Sequence, residues 1–266
     1  MIYINKKEKL NNIDFSDSKS YYVVADFDKT LTEGTSNSTW AVMANANGVN
    51  EEYTKKRNEL YKIYRPKEID MTLSEEEKSQ YMEEWWQKHI SLFFEYGLEE
   101  KAVKNSIKDG GLKFREGAKE FLEKMRDMSV PVIIISAGIG NIIEEFLNQE
   151  ECYFDNIFVL SNFVKFKDGI IEKIEGSTIH ALNKNVVKLP KKITDKLSIR
   201  KNILLLGDGI ADLKMVKAED LEKTITVGFL DEKIEENLEY YNKEFDIVLT
   251  NQASIDDVNK ILNLYK

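Results

Sequence analysis

The chain has 266 residues, 42% hydrophobic and 32% charged, which suits one large domain or a core domain carrying an insertion and excludes a disordered chain. Its formal net charge of -9 argues against sequence-independent binding to nucleic acid or anionic membranes, but not against a small anionic substrate held by a local cation. A single cysteine, Cys152, excludes an intrachain disulfide. The opening MIYINKKEKLNNID has no apolar signal core, and runs such as VPVIII are too short to cross a bilayer, so a soluble, cytoplasmic protein is expected.

In chain order, the first strand signal is YYVVA (21–25), which runs into Asp26. The stretch 33–113 then reads as mostly helical. Within it SEEE (74–77) is a capping box, followed by Tyr81, Met82, Trp85, Trp86, His89, Phe93 and Tyr96 at helical spacing. GAKEFLEKMRD (117–127) predicts a helix, VIII (132–135) a strand running into Ser136, and NIIEEFLNQ (141–149) another helix. IFVL (157–160) runs into Ser161, and Asp168-Gly169 predicts the turn of a β-hairpin over 162–176. ILLL (203–206), TITV (224–227) and DIVL (246–249) complete the strand signals. These runs are apolar without alternation, as in strands covered on both faces. Strand and helix in turn predict an α/β fold, a Rossmann-like doubly wound parallel sheet. The expected division is a core of 1–32 and 114–266, a helical cap of 33–113 and a small hairpin insertion, with Gly34 and Gly110-Gly111 as hinges at the cap junctions.

Ligands of such sheets bind beyond the carboxyl ends of the strands, where the polar residues of this sequence fall. Asp26 and Asp28, two apart, can share a pocket while Phe27 points into the core. In GDGIADLKM, Asp208 stands between two glycines that let backbone approach a ligand, and Asp212 follows one turn on if a helix starts near Ile210. Four carboxylates in one cleft need cations: Mg²⁺, a hard ion suited to carboxylates and phosphate oxygens, and Lys184 opposite it. SAGIG (136–140) follows a strand and opens a helix, so the Ser136 hydroxyl and nearby N–H groups suit a phosphate.

DFDKTLT, SAG, a later lysine and GDGIAD match in order the four motifs of the haloacid-dehalogenase (HAD) phosphatase superfamily. YRPKEIDMTLSEEEKSQYMEEWW, VPVIIISAGIGNIIEEF, VLSNFVKF, IHALNK, ILLLGDGIADLKM and VGFLDEKIEENLEYYNKEFDIVL further resemble the pyrimidine 5'-nucleotidases, the cytosolic type III 5'-nucleotidases, over most of the chain. The resemblance implies Mg²⁺-dependent hydrolysis of nucleoside 5'-monophosphates, pyrimidine nucleotides favoured, through an aspartyl phosphate. It implies Asp26 as nucleophile and Asp28 as acid and then base, its carboxyl kept protonated by the neighbouring Asp26. Mg²⁺ would be held by Asp26, the Asp28 carbonyl, Asp208 and Asp212. The phosphate would be held by Ser136, the Ala137 N–H and Lys184, and the base would face Glu84 beside Trp85.

Other readings stand beside these. DKTLT also resembles the phosphorylated DKTGT of P-type pumps, which would make Asp28 the nucleophile, but the strand run stops at Ala25 and no transmembrane run is present. Glu84 with Lys88 four residues on reads by itself as a solvated helical ion pair worth ~0.2–0.5 kcal/mol, and Trp85 as a packing residue. EGTSNSTWAVMANANGVN and NVVKLPKKITDKL diverge from the family and leave base preference open. The alternative activities are a HAD phosphatase for phosphoserine or a sugar phosphate, and a receiver-like signalling module, against which the long insertion and Asp28 both argue.

Overall fold

The structure, a computed structural model, describes residues 1–46, 49–70, 72–108, 111–176 and 178–264. Among these, eight strands form one sheet: β1 (Ile2–Ile4), β2 (Tyr21–Ala25), β3 (Val132–Ile139), β4 (Ile157–Lys167), β5 (Ile170–Glu175), β6 (Asn202–Gly207), β7 (Thr224–Leu230) and β8 (Ile247–Thr250). Their spatial order is β1-β8-β7-β6-β2-β3-β4-β5. The six strands from β8 to β4 run parallel, and β1 and β5 close the two edges antiparallel.

Side-chain alternation divides each central strand between two apolar layers. Val23, Ala25, Ile134, Leu204, Leu206 and Val227 face the layer filled by α6 (Ala118–Asp127), α7 (Gly140–Gln149) and α10 (Ile255–Leu264). Val24, Ile133, Ile135, Leu205 and Val248 face α8 (Lys191–Leu197) and α9 (Ile234–Glu244). Helices on both faces explain why these strands carry no polar alternation. No helix among the described residues is long and apolar enough to cross a membrane.

A short α1 (Lys7–Asn12) precedes β2, and among the described residues four helices lie between β2 and α6: α2 (Thr39–Ala44), α3 (Glu51–Ile69), α4 (Glu75–Glu95) and α5 (Glu100–Lys108). Ser74 and Glu77 form the expected capping box, the Ser74 Oγ accepting from the Glu77 N–H at 3.3 Å and the Glu77 carboxylate accepting from the Ser74 N–H at 2.9 Å. Trp40, Tyr53, His89 and Phe93 make the aromatic centre of these helices, with Trp40 stacked on Phe93 at 5.6 Å. The chain leaves and re-enters the sheet side by side: Thr32 pairs with Phe114, and the Glu33 N–H donates to the Lys113 carbonyl at 3.0 Å.

Some boundaries differ from those expected. The strand begun at Val132 continues through Ser136 and Ala137, breaking register with β4 between Ile135 and Ile139, so the serine sits on an irregular strand end rather than after it. The expected helix does start at Ile210, and over Ile210–Met215 it is a 3-10 helix. Asp168 and Gly169 take φ of 53° and 79° as the two-residue loop of the β4–β5 hairpin, the doubly left-handed turn that Asp-Gly favours. Gly34 packs against Asp231 and Gln252, and of the other expected hinge, Gly110-Gly111, Gly111 packs against Val42 while Gly110 lies outside the described residues.

Candidate active site

Parallel pairing of β2 with β6 brings two acidic strand ends together. Asp26 follows Ala25, and its N–H donates to the Leu206 carbonyl at 2.9 Å; Asp208 follows Gly207 at the end of β6. Asp212 stands in the 3-10 turn, where its Oδ2 accepts from the Gly209 N–H at 2.9 Å. A Cβ on Gly207 would lie 2.5 Å from the Asp212 Cβ, so the missing side chain makes room for Asp212 rather than for a ligand. One oxygen from each of Asp26, Asp208 and Asp212 lies within 4.8 Å of the others. Lys184, which opens a 3-10 turn at Lys184–Val186, is 5% exposed; its ammonium donates to the Asp212 Oδ1 at 2.7 Å and to the Asp26 Oδ1.

Burial decides the proton equilibria here. It pushes the Asp26 carboxyl up to about 7, against the pull of Lys184 and with the help of Asp212. Burial, then Asp212 and Asp26, raise Asp208 well above the ordinary carboxylate value. Among the described residues no donor reaches the Asp208 carboxylate, whereas its neighbours are engaged by Lys184. Burial opposes the charge of Lys184 itself, yet Asp212 and Asp26 outweigh it and hold the ammonium protonated.

Asp28 takes a different environment. Its Oδ1 accepts from the Thr39 N–H at 3.1 Å, and its Oδ2 from the Thr39 hydroxyl at 3.3 Å. Burial raises its pKa to about 6, with the two Thr39 bonds opposing. Desolvation is the largest cause at Asp28, and the repulsion between the two carboxylates is a smaller one that raises Asp26. The Thr39 hydroxyl also accepts from the Ile139 N–H at 3.0 Å, and a Cβ on Gly138 would fall 2.2 Å from it, so only glycine permits this approach. Buried Ser136 lies on the same loop, its Oγ accepting from the Gly138 N–H at 3.0 Å. Ala137 offers its carbonyl to the Trp40 Nε1 at 2.9 Å and to the Asn162 Nδ2 at 3.0 Å. Asn162 also exchanges two 2.8 Å bonds with Ile179, tying the Ser136 loop to the segment that carries Lys184. Thr39, Trp40 and Asn162 were not foreseen. Serine or threonine before an apolar run is a helix-start signal, and the polar Ser161-Asn162 end of IFVL was visible, but the partners of neither were.

Residues 26–266 match the family model described as Pyrimidine 5'-nucleotidase (UMPH-1). The chain belongs to the pyrimidine 5'-nucleotidase family. It is 34% identical over 264 residues to 7-methylguanosine phosphate-specific 5'-nucleotidase A of Xenopus laevis, covering 96% of this chain and 91% of that protein. Identity with the Homo sapiens 7-methylguanosine phosphate-specific 5'-nucleotidase is 33% over 248 residues, 90% of this chain and 83% of that protein. The structure superposes on cytosolic 5'-nucleotidase IIIB bound to cytidine with a TM-score of 0.83, at 27% identity over 99% of this chain and 93% of the other. A phosphoserine phosphatase captured as a phospho-aspartyl intermediate analogue shares the fold, with a TM-score of 0.59, 19% identity and coverage of 93% and 99%. The family member is a phosphoric monoester hydrolase with a HAD-type α/β core.

In this nucleotidase the two residues expected to face a base both stand on α4. Glu84 is bound by Lys88 at 2.6 Å, and Lys88 also donates to the Tyr64 hydroxyl at 2.8 Å. Buried Trp85 stacks on Tyr64 at 5.9 Å and meets Trp86 edge-on at 5.1 Å. Neither touches the aspartate cluster. Trp86 comes nearer, 6.4 Å from the ring of His180 on the lysine-bearing segment, and its buried Nε1 has no hydrogen-bond partner among the described residues.

Proposed function

We propose that this nucleotidase-family chain hydrolyses nucleoside 5'-monophosphates, with Asp26 as nucleophile. The observation that carries the reading is the meeting of Asp26, Asp208, Asp212 and Lys184 in one buried cluster, beside a serine-bearing strand end. Asp26 attacks phosphorus, and Asp28 gives its proton to the departing ribose oxygen. The aspartyl phosphate is then opened by water, from which Asp28, now a carboxylate, takes a proton. A carboxyl with a pKa near 6 suits both directions of transfer. Ser136 and the Ala137 N–H hold phosphoryl oxygens, and Lys184 offsets their charge.

The carboxylate oxygens of Asp26, Asp208 and Asp212, those of Asp208 without a protein donor among the described residues, fit a hard dication. Mg²⁺ would be held by them together with the Asp28 carbonyl, and when bound supplies positive charge to the transferring phosphoryl group. We read 33–113 as a cap over a core of 1–32 and 114–266; the reach of Thr39 and Trp40 into the site supports this. The cytosolic relative supports a cytosolic setting.

For the base, the family description and the cytidine in the similar structure support pyrimidines, and the relatives named for 7-methylguanosine phosphate add a methylated purine. The test is phosphate release from CMP, UMP, 7-methylguanosine 5'-monophosphate, phosphoserine and a sugar phosphate, with and without Mg²⁺. Multiple-turnover release that needs Mg²⁺ and favours the nucleotides is expected. Equal or better rates on phosphoserine or the sugar phosphate would transfer the chain to another substrate class, and a single turnover would match the receiver-like alternative.

A further inference from the structure

Beneath the loop that carries Asp26 and Asp28 lies a buried arginine. The Arg115 side chain is 1% exposed. Its Nε donates to the Thr30 carbonyl at 2.9 Å, and one Nη donates to the Lys29 carbonyl and to the Asp231 Oδ2, the latter at 2.8 Å. The other Nη donates to the Ala253 carbonyl at 3.2 Å, and the guanidinium carbon lies 4.3 Å from the centre of the Phe229 ring. The fork therefore grips two successive carbonyls directly after Asp28 and clamps them to the loops that follow β7 and β8.

The same knot reaches the start of the inserted helices. The Asp231 Oδ1 accepts from the Gln252 N–H at 2.6 Å, and the Gln252 side-chain carbonyl accepts from the Gly34 N–H at 3.0 Å. A Cβ on Gly34 would lie 2.4 Å from the Asp231 Oδ2, so glycine is required there for space. Arg115 itself stands where the chain returns from the insertion, its own N–H on the Leu31 carbonyl at 2.9 Å. Lys29, whose carbonyl is gripped, has a φ of 63°, a conformation that a lysine holds only when its surroundings impose it. A buried charge is a poor way to fill space, since an apolar side chain of similar volume packs without desolvating an ion. What an apolar side chain cannot do is hold two carbonyls and a carboxylate in a fixed relation.

We propose that Arg115 is a positioning residue of the hydrolase, fixing the Lys29–Thr30 backbone and through it the relative placement of Asp26 and Asp28. The proposal rests on the reading of that pair as the reacting carboxylates. Arg115 touches no substrate in this account; it acts through the loop, and displacement of reacting groups by about 1 Å can cost 10²-fold in rate.

The test compares wild type with Arg115→Met, Arg115→Lys and Asp231→Asn on the best nucleotide of the ester panel, under saturating Mg²⁺ and at a temperature where circular dichroism shows each variant folded. Arg115→Met should lower kcat about tenfold or more with KM within about twofold. Arg115→Lys, which keeps the charge but cannot fork across both carbonyls, should fall between it and wild type, and Asp231→Asn should lose less. If Arg115→Met does not fold, the kcat loss of Arg115→Lys at unchanged KM carries the test. Wild-type kcat in a folded Arg115→Met, or in Arg115→Lys where that variant alone folds, would overturn the proposal, as would a loss confined to KM. Wild type that releases no phosphate from any ester would instead overturn the hydrolase reading itself.

Discussion

An ammonium buried among carboxylates stays charged only because they face it, and the carboxylates in turn stay close only because it is there. Lys184 and Asp26 both shift upward, with opposite consequences for charge: the lysine is held protonated, while burial leaves the Asp26 carboxyl near 7. Asp28 is outside that exchange, bonded by Thr39 and poised near 6. The two aspartates of DFD are thus separated by environment, one facing a lysine and the other a threonine, which favours Asp26 as the attacking group and Asp28 as the proton carrier. Asp28→Asn should therefore lower kcat on a nucleoside monophosphate by ~10²–10⁴-fold. On p-nitrophenyl phosphate, whose leaving group needs no proton, the first step should lose far less. Rapid-quench measurement of both substrates checks this; an equal loss of that step on both would remove Asp28 from the role of acid.

At the scale of the elements, α4 carries a second buried titrating group. His89 shares a 3.0 Å hydrogen bond with the Tyr53 hydroxyl and packs against Trp40 and Phe93. Burial, aided by Arg57, lowers its pKa from 6.5 to about 3. A folded-state pKa below the unfolded one means that stability is full above pH 6.5 and is lost as pH falls toward 3. Between pH 7.5 and 5.5 the loss through His89 is ~1.4 kcal/mol. Urea unfolding of wild type and His89→Gln at those two pH values should show the wild type losing that much more, and equal losses would mean that His89 is not buried neutral. The central strands, α6, α7 and the Asp168-Gly169 hairpin were legible because periodicity and turn chemistry are local. β1 was not, since three residues at a sheet edge carry too short a pattern to distinguish from coil. The helix start at Ile210 was legible but its 3-10 form was not, and the Ser136 strand end was misjudged, because tertiary contacts, the room beside Gly207 and the β3–β4 register break, set them. Of the site, the aspartates, Ser136 and Lys184 were legible as motifs. Thr39, Asn162 and Arg115 were not, because their meaning lies in partners distant in sequence: Arg115 is 85 residues from Thr30 and 116 from Asp231.

Across the whole molecule, a chain of net charge -9 gathers a cationic group where an anionic ester must bind. Lys184 meets Asp26 across 158 residues and Asp212 across 28, so only the completed parallel sheet assembles the site. The inserted helices then bring Thr39 to Asp28 and Trp40 to the Ala137 carbonyl, which joins the proposed acid and the proposed phosphate cradle to the proposed cap. The central claim is that this assembly makes Asp26 a nucleophile toward phosphorus. Its most direct test is acid quenching of the enzyme during turnover of a ³²P-labelled nucleoside 5'-monophosphate with Mg²⁺, to find phosphate bound to protein, with a parallel unlabelled sample reduced by tritiated borohydride, which expels the phosphate and leaves tritiated homoserine for peptide mapping. The tritium should fall at Asp26; turnover with the mark at Asp28, or with no covalent phosphate at any quench time, would contradict the account.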